Sequence, residues 1–300
     1  MQRIFHILLM MLVLFVLPVS AEAQAKRALL IGISDYGATG GNTRDGQWEN
    51  IHGANDVDLI APTLKKKGFK VVKVTNKAAT AKQIRKEIKK LIGQCRSGDI
   101  VYLHFSGHGQ PFEDMDGDEE DGWDESIIPY DAQKAYCKGK YEGANHILDD
   151  ELYGYFDQLR MRVGEKGLLC VVIDACHAGG SSRGDELEED EEICIRGTRD
   201  AFSPNGKIYR PRVNTNGHFV IKSSGTQGDI LILEACRSYQ SNYEIKQDGK
   251  YYGPLSYYVN KALRSIRLIN SLKWVQEVKQ TMDGDRRLTR QNMVYETSLK

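Results

Sequence analysis

Ile100-Val-Tyr-Leu-His-Phe-Ser-Gly-His-Gly109 and Leu168-Leu-Cys-Val-Val-Ile-Asp-Ala-Cys-His-Ala-Gly-Gly180 decide the fold. Each opens as an apolar run of strand length and ends among small residues that flank one reactive side chain, His108 or Cys176. Leu168 to Ile173 contains no polar residue. Strands without polar alternation are those covered on both faces, as in a parallel sheet lying under helices. Upstream, Arg27 to Ile33 and Phe69 to Val74 are further runs of strand length. Between them Val57, Ile60, Ala61 and Leu64 recur at helical spacing, as do Ile84, Ile88, Leu91 and Ile92, and then Leu152, Tyr155, Phe156 and Leu159. The order β-α-β-α-β-α-β predicts an α/β fold with a mainly parallel sheet flanked by helices on both faces.

A second half follows. His218 to Lys222 and Asp229 to Glu234 read as strands, Leu255 to Ile266 and Ser271 to Met282 as helices. The break between the halves, 177–217, holds an acidic run, glycines and prolines without periodicity, which predicts an exposed loop open to cleavage. Pro111 to Asn145 reads as a similar loop. The division is then 1–23 as a leader and 24–300 as one domain, with parts at about 26–182 and 218–300 joined by a loop over about 183–217. Arg3 and His6 precede an apolar run from Ile7 to Leu17, and Ala21-Glu22-Ala23 offers a signal-peptidase site, so the protein is expected to be exported, periplasmic or secreted, without stable membrane insertion.

With 41 basic and 41 acidic side chains, no global electrostatic case for nucleic acid or an anionic membrane arises. Cys95, Cys137, Cys170, Cys176, Cys194 and Cys236 show no CxxC spacing and no clustered His, which disfavours zinc and predicts mostly buried thiols.

In open parallel sheets, functional groups gather at the carboxyl ends of the strands. His108 and Cys176 stand at two such ends. A free thiol near pKa ~8.5 is mostly protonated at neutral pH, so a nearby imidazole is needed to take its proton and return it to a leaving amine. A backbone N–H in the turn, Gly109 first, can hold an oxyanion. His104 lies inside its strand run and reads as structural; His177 follows the nucleophile and points away from it.

Ser106-Gly-His-Gly109 and Asp174-Ala-Cys-His-Ala-Gly179 resemble the signature segments of the metacaspases and the wider caspase-like peptidases. The acidic stretch Glu113 to Asp131, Ile147-Leu-Asp-Asp-Glu-Leu152 and Gly53-Ala-Asn-Asp56 are similar to that family, and more weakly so are Leu233 to Gln240 and Gly253 to Ser256. The resemblance implies a caspase-like fold and a cysteine endopeptidase. By the same resemblance Asp56, Ser106 and Asp174 line the primary pocket, where two carboxylates favour Arg or Lys and repel an acidic side chain. Protein or peptide substrates with a basic residue before the cut are therefore expected.

The resemblance also implies a calcium site at Asp124, Asp149, Asp150 and Asp185; Asp149 and Asp150 serve equally well as acidic residues opening a helix. An EF-hand is disfavoured, because Glu119 stands where that loop needs Gly. Arg183, Arg196 and Arg199 are candidate self-cleavage points of a zymogen. The alternatives are a clostripain- or gingipain-type peptidase, and a non-catalytic binding domain on the same fold.

Overall fold

The computed structural model describes residues 24–37, 47–176, 194–198, 200–267 and 269–299. In chain order the first half comprises β1 (Lys26–Gly32), α1 (Gly53–Lys66), β2 (Lys70–Thr75), α2 (Ala81–Gln94), β3 (Ile100–Ser106), β4 (Gly109–Glu113), β5 (Trp123–Ile127), β6 (Ile147–Leu148), α3 (Asp149–Val163) and β7 (Leu168–Asp174). The second comprises β8 (His218–Val220), β9 (Asp229–Glu234), β10 (Ile245–Gln247), β11 (Lys250–Tyr252), α4 (Pro254–Ser265), α5 (Lys273–Asp283) and β12 (Val294–Thr297).

One seven-stranded sheet, in the order β2-β1-β3-β7-β9-β12-β8, frames the molecule. Its pairings are parallel from β2 to β9, and β12 enters antiparallel to β9. Alternate side chains face opposite layers, as the period of a strand requires. Leu29, Ile31, Val101 and Val171 pack with Ile84 and Ile88 of α2 and Leu159 of α3. Ala28, Leu30, Tyr102 and Val172 pack with Ile60 of α1, Val259 of α4 and Trp274 of α5. Every residue of β3 and β7 is buried, which explains why these runs carry so little polarity. Thr80 caps α2 by accepting the Gln83 N–H at 3.3 Å, satisfying one of the free donors of the first turn. No helix among the described residues is long and apolar enough to cross a membrane.

Three features depart from the sequence reading. The stretch 111–145 is not all loop: β4 and β5 form an antiparallel sheet with β6. Within the 177–217 break, Arg196 and Phe202 are fully buried, and Phe202 stacks on Phe112 at 4.9 Å in a cluster with Tyr141. The β10–β11 hairpin and β12 were unexpected; each is four residues long or less, too short for periodicity to register. The leader at 1–23 lies outside the described residues.

Candidate active site

β3 and β7 are neighbours in parallel register, with Ser106 opposite Asp174. The chain therefore reaches His108 and Cys176 two residues beyond matched positions at one end of the sheet. His108 is buried between the rings of Trp48, at 4.8 Å, and Tyr36, at 4.9 Å. Its backbone N–H donates to the Tyr36 hydroxyl at 2.9 Å, and its Nε2 lies 2.9 Å from the Glu49 carbonyl oxygen. A carbonyl can only accept, so Nε2 carries the proton and Nδ1 keeps a lone pair. Nδ1 is buried without a hydrogen-bond partner. Burial lowers this imidazole to about 4, against the Glu49 contact that would raise it. At neutral pH the ring is an uncharged base.

The Cys176 thiol is fully buried and donates to the Gln240 carbonyl at 2.9 Å. Its backbone N–H donates to the Arg196 carbonyl oxygen at 2.9 Å, and the Gly109 N–H reaches the same oxygen at 3.2 Å. Two backbone donors thus converge on one carbonyl beside Cys176, an arrangement able to stabilise a tetrahedral oxyanion. Gly109, the donor expected from sequence, and Cys176 itself both turn their N–H groups to this oxygen.

The segment carrying Arg196 lies extended across the cleft. The Arg196 N–H donates to the Asn242 carbonyl at 3.0 Å, and the Glu244 N–H to the Cys194 carbonyl at 3.0 Å, with Ile195 bridged antiparallel to Tyr243. On the other side of the carbonyl, Gly197 is bridged parallel to Gly109. A Cβ on Gly197 would collide with the Cys176 carbonyl, so glycine lets the chain pass this close.

Below it, the Arg196 side chain fills a pocket floored by Asp56, Ser106 and Asp174, all fully buried. Nη1 donates to Asp56 Oδ2 at 2.7 Å and to Ser106 Oγ at 2.5 Å, and lies 3.5 Å from Asp174 Oδ1. Nε and Nη2 donate to Glu244 Oε1 at 3.1 and 2.8 Å. The carboxylates are themselves held. Asp174 accepts from Asn242 Nδ2 and from the N–H and hydroxyl of Ser256, each at 2.7 Å; Asp56 accepts from the Gly253 N–H at 3.0 Å. Ser256 in turn meets His104 Nε2 at 3.1 Å, which gives His104 its structural place. Burial and the Asp174 charge push Asp56 up to about 7 despite Arg196 beside it. Burial alone would raise Glu244 too, but Arg196 and His52 hold it down at about 2.

A family model described as the metacaspase, peptidase C14 domain matches residues 26–182, more than half of the chain. The chain belongs to the metacaspase family. It is a cysteine-type peptidase, a hydrolase, and not a non-catalytic domain on the same fold. It is 27% identical to Metacaspase-1B of Neosartorya fischeri over 87% of this chain and 68% of the relative. With Metacaspase-2 of Trypanosoma brucei brucei it shares 26% over 76% of this chain and 58% of that one. Among solved structures, protein GSU0716 from Geobacter sulfurreducens superposes with a TM-score of 0.57 at 21% identity, covering 92% of this chain and 97% of that one. Caspase-1 from Spodoptera frugiperda does so at 0.52 and 15%, covering 92% and 88%. These two likenesses are of fold.

Elsewhere in this metacaspase, oxygen atoms of Asp118, Asp124 and Asp150 lie within 4.8 Å of one another. Burial, then Asp149 and Asp150, pushes Asp124 up to about 7, and its Oδ1 is buried with no partner. Of the four aspartates expected around calcium, Asp124 and Asp150 are in this group. Asp149 instead accepts the Glu125 N–H at 3.2 Å, and Asp185, like Arg183, Arg199 and His177, lies outside the described residues. An all-oxygen donor set with an orphaned buried carboxylate oxygen fits a hard cation.

Glu244, Asn242, Ser256 and the Glu49 carbonyl were not singled out from sequence. For Glu244 a signal existed: a carboxylate shortly past the end of β9, at the same sheet end as His108 and Cys176.

Proposed function

We propose that this metacaspase hydrolyses peptide bonds on the carboxyl side of arginine or lysine, with Cys176 as nucleophile and His108 as base, and that its own Arg196–Gly197 bond is a substrate. One observation carries the reading: Arg196 has its guanidinium among three carboxylates and its carbonyl oxygen on the N–H groups of Cys176 and Gly109. Of the three arginines considered as self-cleavage points, Arg196 is the one among the described residues, and it has this support.

The chemistry follows from those contacts. Rotation of the thiol away from Gln240 lets His108 Nδ1 take its proton. The thiolate then attacks the carbonyl carbon, and the charge developing on oxygen meets two fixed donors, each worth on the order of 100-fold in rate. His108 returns the proton to the Gly197 nitrogen as the C–N bond breaks, and water completes hydrolysis of the thioester. A hard cation such as calcium, held by Asp118, Asp124 and Asp150, would offset their like charges and tie the β4–β5 connection to the start of α3.

Purified protein should be cut between Arg196 and Gly197, as read by fragment mass, while Cys176→Ala stays full length. The processed enzyme should release fluorophore from an Arg-terminated peptide and not from an Asp-terminated one. Cleavage of Cys176→Ala at the same bond would sink the proposal.

A further inference from the structure

Resting on that reading of the pocket, we infer that Glu244 is the residue that makes it select arginine over lysine. Arg196 is gripped along two different edges. Nη1 serves Asp56 and Ser106, and the Nε–Nη2 edge serves Glu244 Oε1. Only a planar, forked cation supplies donors in both directions at once. A lysine ammonium ends where the guanidinium carbon lies. It has no Nε–Nη2 edge to present as a pair to Glu244 Oε1, and it stops one bond short of the place from which Nη1 reaches Asp56 and Ser106, so the paired contact at Glu244 is the one an ammonium cannot reproduce.

Glu244 is held against adjusting to the smaller cation. The His52 backbone N–H donates to its Oε1 at 2.8 Å, and His52 Nδ1 lies 2.5 Å from its Oε2. The His52 ring is stacked on Tyr251 at 4.9 Å, so the clamp is itself supported. The Glu244 backbone also pairs with Cys194, two residues before Arg196. The side chain that reads the arginine is therefore anchored in the segment that pairs with the chain around Arg196.

The test pairs two fluorogenic peptides that differ only in a terminal Arg or Lys, with Ile before it as in Ile195-Arg196. The processed enzyme should prefer Arg by at least ~10-fold in kcat/KM. Glu244→Asp keeps the charge but withdraws it by one methylene; Arg cleavage should fall roughly 100-fold and Lys cleavage less than ~10-fold, compressing the ratio. Glu244→Gln, which keeps the length and removes the charge, should compress it as well. A readout in cis requires no change in the pocket: the Arg196→Lys chain should process itself at least ~10-fold more slowly than the parent. Parallel losses on both peptides, or a parent enzyme indifferent to Arg and Lys, would overturn the assignment to Glu244 while leaving the peptidase reading intact. A parent that cleaves neither peptide overturns both.

Discussion

Asp56, Asp174 and Glu244 converge on Arg196, whereas Asp118, Asp124 and Asp150 face one another with no ion pair reaching them among the described residues. Both clusters take carboxylates out of water, and burial raises a carboxyl in either place. The outcomes differ with the partner, though not at every carboxyl: burial raises Asp56 to about 7 even beside Arg196. Glu244, nearly inaccessible, stays at about 2 because Arg196 and His52 outweigh its burial. Burial pushes Asp124 and Asp149 up to about 7, and the charges nearest them, being other carboxylates, add to the rise instead of opposing it. One cluster carries its cation on its own chain, on a loop that cleavage would release; the other can obtain one only from solution. On the proposed reading, an acidic pocket for a substrate arginine is stable in the uncut chain because Arg196 stands in for that substrate.

Removing the internal cation should make the first cluster resemble the second, and this is the largest effect expected. In a Cys176→Ala background, Arg196→Ala leaves buried carboxylates uncompensated and should cost about 3 kcal/mol, on the order of 10 °C in melting temperature. The pH dependence has a definite sign. Asp56 is raised from its ordinary 3.8 to about 7, so it binds a proton more tightly folded than unfolded. Its stabilising contribution is complete below 3.8 and lost as pH rises through about 7. Without Arg196 it moves higher still, so the parent stops losing stability above about 7 while the variant goes on losing it, and the deficit of the variant should grow as pH rises above about 7. A deficit that shrinks over that range would break the comparison.

Supplying a cation to the second cluster is the converse, and smaller. Calcium at about 100 times its dissociation constant should stabilise the Cys176→Ala protein by about 2.7 kcal/mol, read as a rise in melting temperature. Asp124→Asn should abolish the response. A rise of equal size in Asp124→Asn would place any calcium elsewhere.

What the sequence made legible, and what it hid, divides along the same line. The parallel strands showed because burial on both faces leaves uninterrupted apolar runs, as at Leu168 to Ile173. His108 and Cys176 showed because each follows such a run. Arg196 was legible only as one basic residue in an acidic, glycine-bearing loop, a composition that reads as exposed; its burial depends on partners 22 to 140 residues away. Glu244 lies between short elements without periodicity, and its one signal, a carboxylate past the end of β9, does not separate it from a surface glutamate until the fold places it beside Arg196. Pairing of charges across the fold is a tertiary property, so carboxylates could be nominated from sequence but not assigned to a paired or an unpaired cluster.

The smallest effect is also the sharpest contrast, because one change of charge should act with opposite sign in the two places. Asp118 is exposed at the rim of the unpaired cluster. Asp118→Asn, without calcium, removes a like charge from near Asp124 and Asp150 and should raise the melting temperature of the Cys176→Ala protein by no more than about 1 °C, as an exposed pair allows. Glu244→Gln in the same background removes a charge that Arg196 requires and should lower it. With calcium the sign at Asp118 should reverse, since the variant then lacks a ligand. Equal shifts of one sign in both variants would mean that burial, and not the presence of a cation, governs the two clusters.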